Sequence, residues 1–127
     1  MIVYMGKKVK HVHIDAWDTW DMDSTLAHII LPMLKQLKET KQGAPAVELE
    51  DVPERLHPSS EQISILLQGE TDDNYFKRWD YVLDEMIWAF QWVVESDYLL
   101  DEDYQEYSER LSNGFRLFGK YYQSLWD

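Results

Sequence analysis

Residues 72–95 read DDNYFKRWDYVLDEMIWAFQWVVE. Within this stretch Phe76, Trp79, Leu83, Met86, Phe90 and Val93 recur at steps of 3, 4, 3, 4 and 3, the spacing that gathers apolar side chains on one stripe of an α-helix. Asp72 and Asp73 stand just before it, where cap residues are expected. The stretch therefore predicts a helix over 73–95. A strand would scatter the same residues over two faces.

Outward from this helix the pattern repeats on both sides. Upstream, Leu26, Ile29, Ile30, Met33, Leu34 and Leu37 predict a helix over 24–42, with Asp23 or Ser24 as its cap and Gly43-Ala44-Pro45 as its stop. Pro32 lies inside it and removes the bond to the His28 carbonyl, which predicts a bend. Downstream, Tyr104, Tyr107, Leu111, Gly114, Phe118, Tyr121 and Leu125 predict a helix over 102–124. Trp79, Leu83, Met86, Leu111 and Phe118 are the expected core. The segment 44–70 carries Pro45, Pro53 and Pro58 among acids and reads as a connector, with Ile63 to Leu67 open between helix and strand.

At the N-terminus, Ile2-Val3-Tyr4-Met5, then Gly6-Lys7-Lys8, then Val9 to Ile14 predict a β-hairpin over 2–14. Asp15 to Asp21 is short and polar and reads as a loop held by Trp17 and Trp20. The fold class is thus mainly α, a bundle of three long helices with a small N-terminal β-hairpin, in a single domain over 1–127.

Composition narrows the function classes. Twelve basic against 24 acidic residues give a formal charge of −12, which opposes nucleic acid and anionic membranes and favours basic partners. Six Trp, eight Tyr and four Phe exclude a disordered acidic tail. The absence of cysteine excludes disulfides and thiolate ligands and fits a reducing compartment. No signal peptide or membrane-spanning run is read, so the expectation is a protein of the cytosol.

Against this charge, the cations that share a helix face are the candidate binding groups. Asn113, Arg116 and Lys120 fall at i, i+3 and i+7, with Arg110 on their flank, and Lys77 and Arg78 lie at the start of the central helix. Guanidinium and ammonium beside an amide suit phosphate or carboxylate, and Trp17 or Trp20 could stack on a nucleobase. A solvated face of internal ion pairs is the plainer reading of the same spacing.

The acids Asp80, Asp84 and Glu85 with Glu106 and Glu109 raise a metal-dependent alternative. The outline resembles all-α nucleotide pyrophosphohydrolases, but where these need a second acidic pair the chain reads Arg116-Leu117-Phe118-Gly119-Lys120. No Gly-x-Ser-x-Gly motif, Walker loop, dinucleotide fingerprint or paired-histidine metal motif occurs, so no catalytic residue, metal or cofactor is assigned.

Three blocks together carry a resemblance: Asp15 to Thr19 and Trp20 through Lys41, Asp72 to Trp79 through Phe90, and Ser112-Asn113-Gly114-Phe115-Arg116-Leu117-Phe118-Gly119-Lys120-Tyr121-Tyr122. They are similar to a family of small proteins encoded by tailed bacteriophages. The resemblance implies action in the cytosol of a host bacterium, and by analogy of context counter-defence. The expectation drawn from it is an oligomeric, non-catalytic binder that sequesters a nucleotide-derived immune signal of the host. A metal-dependent nucleotide hydrolase and an acidic protein-binding inhibitor of a host defence enzyme are the alternatives.

Overall fold

A computed structural model describes residues 12–61, 71–95 and 104–127. Among the described residues the fold is carried by α1 (Ala16–Trp20), α2 (Met22–Thr40), α3 (Tyr75–Glu95) and α4 (Tyr104–Lys120). The helical class and the three long helices stand as the apolar spacing predicts, with ends within about two residues except at the C-terminus of α4, where the chain tightens into a 3-10 turn, Tyr122–Ser124.

Helix α3 is the centre. It packs against α2 along one side and α4 along the other, and its own buried residues include Trp79, Val82, Leu83, Met86, Ala89, Phe90 and Val93. Ala27, Leu31 and Leu34 meet it from α2, and Leu111, Leu117 and Tyr121 from α4 and its end. Phe118 is half-buried and sets its ring edge-on to Phe90 at 5.0 Å. Tyr81, Trp88 and Trp92 pack at the margin of the same core.

Gly114 is where α4 comes closest to α3. A Cβ built there would lie 2.5 Å from the Ala89 Cβ and 2.8 Å from the Glu85 carbonyl oxygen, so only glycine permits this approach. Ala89 is the matching small residue.

Several expectations are corrected. Asp15 to Asp21 is not a loop: residues Ala16–Trp20 form a helical turn, opened by the Asp18 carboxylate accepting the Asp15 amide at 2.8 Å. Trp17 and Trp20 do not pin it to the core. They are 75% and 77% exposed and touch each other edge-to-face at 5.7 Å. Asp21 stands at the start of α2 in place of Asp23 or Ser24. Phe76, expected inward, is 49% exposed, because a strict 3–4 stripe drifts off the buried side over five turns. The same drift buries Leu117 where the expected stripe passed over it.

The connector has local structure: two 3-10 turns, Leu49–Asp51 and Glu54–Leu56, anchored by buried Val47, Val52 and Leu56. His57 Nε2 lies 2.7 Å from the Leu49 carbonyl and 3.2 Å from that of Val52, closing the segment on itself. The hairpin expected over 2–14 falls outside the described residues save for Val12 to Ile14, and no extended strand forms among the described residues. The Ile63 to Leu67 segment also lies outside them.

Candidate functional site

Asn113, Arg116 and Lys120 do share one face of α4, and the strap formed by residues 44–57 covers it. Arg116 Nη2 donates to Asp51 Oδ1 at 2.8 Å and to Asn113 Oδ1 at 2.7 Å. Lys120 Nζ lies 2.6 Å from Glu48, 3.3 Å from Glu50 and 2.7 Å from Asp51. The Tyr121 hydroxyl donates to Asp51 Oδ2 at 2.6 Å and accepts the Glu48 amide at 3.1 Å.

Asp51 is the hub of this latch, its side chain only 2% exposed. Burial pushes its carboxyl up, but hydrogen bonds from Lys120, Tyr121 and Arg116 outweigh burial and hold it below the ordinary aspartate value. The reciprocal bond to Asp51 raises Lys120, and burial followed by that same carboxylate raises Tyr121. Glu48, Glu50 and Asp51 are the group among the described residues whose oxygens lie close enough to hold a metal ion. Lys120 already places its ammonium among them.

The other cations lie apart from this face. Arg110 forks onto Glu85 at 3.0 and 3.1 Å and lies 4.3 Å over the Trp88 ring. Arg78 is buried and bidentate on Asp72, with a further bond to the Leu56 carbonyl at 3.0 Å. The Arg78 bond, against the opposing effect of burial, lowers Asp72. Lys77 is exposed and forms no ion pair among the described residues. Trp17 and Trp20 sit on α1, and neither makes a cation–π contact with these groups.

The acids of the metal-dependent alternative are divided between two helix faces. Asp84 holds Lys38 of α2 and Asp80 holds Lys41 just past its end, while Glu85 turns to Arg110 of α4. Glu106 and Glu109 are exposed. Asp80, Asp84 and Glu85 thus each already carry a cation.

A concave apolar feature lies elsewhere on the surface. A groove of about 1050 Å³ runs along α2 from Leu26 to Thr40 and is closed on its other side by Phe118, Tyr122, Leu125, Trp126 and Asp127. Met33 is 51% and Trp126 76% exposed within it. Of the apolar stripe on α2, Leu34 is buried and Ile30 and Leu37 pack against the core beside Ala27 and Leu31, while Leu26, Ile29 and Met33 line the groove. The stripe is divided between core and groove. No helix among the described residues is long and apolar enough to cross a membrane.

Asp51, Glu48, Glu50 and Tyr121 are the residues that sequence reasoning missed. Their partners lie 65 to 73 positions away, beyond any local spacing rule. No protein-family model, curated protein or solved structure matches the chain.

Proposed function

We propose that this chain is a non-catalytic, acidic binding module for a basic protein partner. One observation carries the reading: Arg116, Lys120, Arg110 and Arg78 are all bound to the chain's own carboxylates, while an apolar groove lies open among the described residues. A nucleotide phosphate at Asn113, Arg116 and Lys120 would have to displace Asp51, a buried carboxylate that already accepts three hydrogen bonds. Removing that carboxylate from its partners costs more than an exposed ion pair would.

Protein recognition needs no such displacement. Interfaces favour Trp, Tyr, Phe and Met over charged residues at their centre, and the groove presents that set inside a field of net charge −12. The resemblance to small phage proteins supplies a setting in which such a module covers a basic surface of a host protein.

The test measures two properties of the wild type and the Arg116→Ala variant. Calorimetry with ATP, NAD and a cyclic dinucleotide should give no heat of binding. Affinity purification at low salt should retain a basic protein at one copy per chain, unaltered in the variant and released at about 0.5 M salt, where screening shortens to a few ångström. Nucleotide binding that Arg116→Ala abolishes would refute the reading and restore the anion site.

A further inference from the structure

The groove has a direction in its charge. From Ile14 to Leu34 the chain contains no lysine or arginine, and Asp15, Asp18, Asp21 and Asp23 alternate there with Trp17, Trp20 and Met22. The last seven residues carry no cation and end on Asp127 at the groove wall. The cations nearest the groove face away from it. Lys35 and Lys38 of α2 and Lys41 at its end reach to Gln91, Asp84 and Asp80 of α3, and Arg116 and Lys120 reach to the strap.

The groove is therefore lined mainly by apolar side chains with Asp127 on its wall, and the acidic segment of α1 leads directly into its first lining residue, Leu26. Asp21 and Asp23 have no ion pair among the described residues. The shared hydrogen bond with Asp23, then burial, then the charge of Asp23 push the Asp21 carboxyl above its ordinary value, as two carboxylates do when no cation separates them. The indoles of Trp17 and Trp20 beside them offer exposed faces to a guanidinium.

We infer that the groove receives an amphipathic helix of the partner, with its apolar face on Leu26, Met33, Tyr122 and Trp126 and its arginine-rich end over α1. The inference rests on the protein-binding reading above. Length agrees: Leu26 to Thr40 spans about 22 Å at about 1.5 Å per residue, room for four helical turns. A helix laid in such a groove anchors through side chains at i, i+3, i+4 and i+7. A second copy of this chain fits less well, because it would bring another charge of −12 against the first.

The probe is a synthetic helix of about 15 residues with leucine at those anchor positions and arginine on its flanks, beside a twin with glutamate on the flanks. By fluorescence anisotropy the arginine peptide should bind one per chain. Met33→Lys should weaken it about tenfold, and the pair Asp21→Asn with Asp23→Asn should weaken it several-fold at low salt and little at high salt. Equal binding of the glutamate twin, no binding of either peptide, or unaltered binding in both variants overturns the inference. A dimer in light scattering that Met33→Lys dissolves also overturns it, since the groove then belongs to a second copy. If Met33→Lys loses its helical circular dichroism, the exposed aspartate pair decides alone. Capture of a basic protein without peptide binding would remove the helix and leave the protein-binding reading standing, so the two fail separately.

Discussion

Gly114 and Gly119 lie five residues apart on α4, and the same substitution should move stability in opposite directions at the two. Alanine is better than glycine by about 1 kcal/mol in a helix interior. At Gly119 nothing lies within 4 Å of the added methyl, so most of that gain should survive: about 0.5 kcal/mol at a position one residue from the helix end. At Gly114 the methyl meets the Ala89 Cβ at 2.5 Å and the Glu85 carbonyl at 2.8 Å, both belonging to α3.

Ordinary contact needs about 3.5–4.0 Å between carbons, so α3 and α4 must separate by roughly an ångström along a contact that also carries Leu111 and Leu117. Overpacking of this kind costs about 1–3 kcal/mol beyond the propensity gain. Urea unfolding followed by tryptophan fluorescence should show Gly114→Ala less stable by about 1–2 kcal/mol net, with Tm lowered by about 4–8 °C for a domain of this size. Gly119→Ala should be level with or slightly above the wild type. Equal effects at the two glycines would refute the close helix approach on which the packing of α4 rests.

Two further outcomes follow from the buried charges. Arg78 is 3% exposed, and its removal leaves Asp72 fully buried without its cation; Arg78→Leu should cost about 3–5 kcal/mol in chemical denaturation, and Arg78→Lys should not restore it because the fork is lost. Asp51 and Asp72 titrate below the ordinary aspartate range when folded, so the unfolded chain takes up protons first. Their stabilisation is present above about pH 4–5 and is lost as pH falls through that range toward the folded values. Asp51→Asn should flatten this acid limb in pH-dependent melting, and an unaltered limb would remove Asp51 from the latch.

The helices were legible because a 3–4 apolar stripe depends on local spacing alone, and Trp79, Leu83 and Met86 sit where that spacing puts them. Helix α1 was not, because its signal is a hydrogen bond between two aspartates three apart in a stretch too short for periodicity. The cation face of α4 was readable as a face. Its carboxylates come from the strap, 65 to 72 residues earlier, where Glu48, Glu50 and Asp51 carry no mark of their destination. The groove is not legible for a further reason: periodicity identifies an apolar stripe but not what covers it, and of the α2 stripe Ile30, Leu34 and Leu37 meet the core while Leu26, Ile29 and Met33 line the groove.

The latch should also govern how long the native state lasts. Its bonds close a chain segment of 65 to 70 residues, and contacts of that separation bear the full entropy of loop closure before they return any stabilisation. The helix-on-helix packing around Trp79 and Leu83 joins surfaces that form early from local structure, so the strap should dock after the rate-limiting step. An interaction absent from the transition state leaves the folding rate alone and slows only the escape from the folded basin. Asp51, Arg116 and Tyr121 would then set the lifetime of the folded state, and a chevron for Asp51→Asn should show a faster unfolding limb over an unchanged refolding limb.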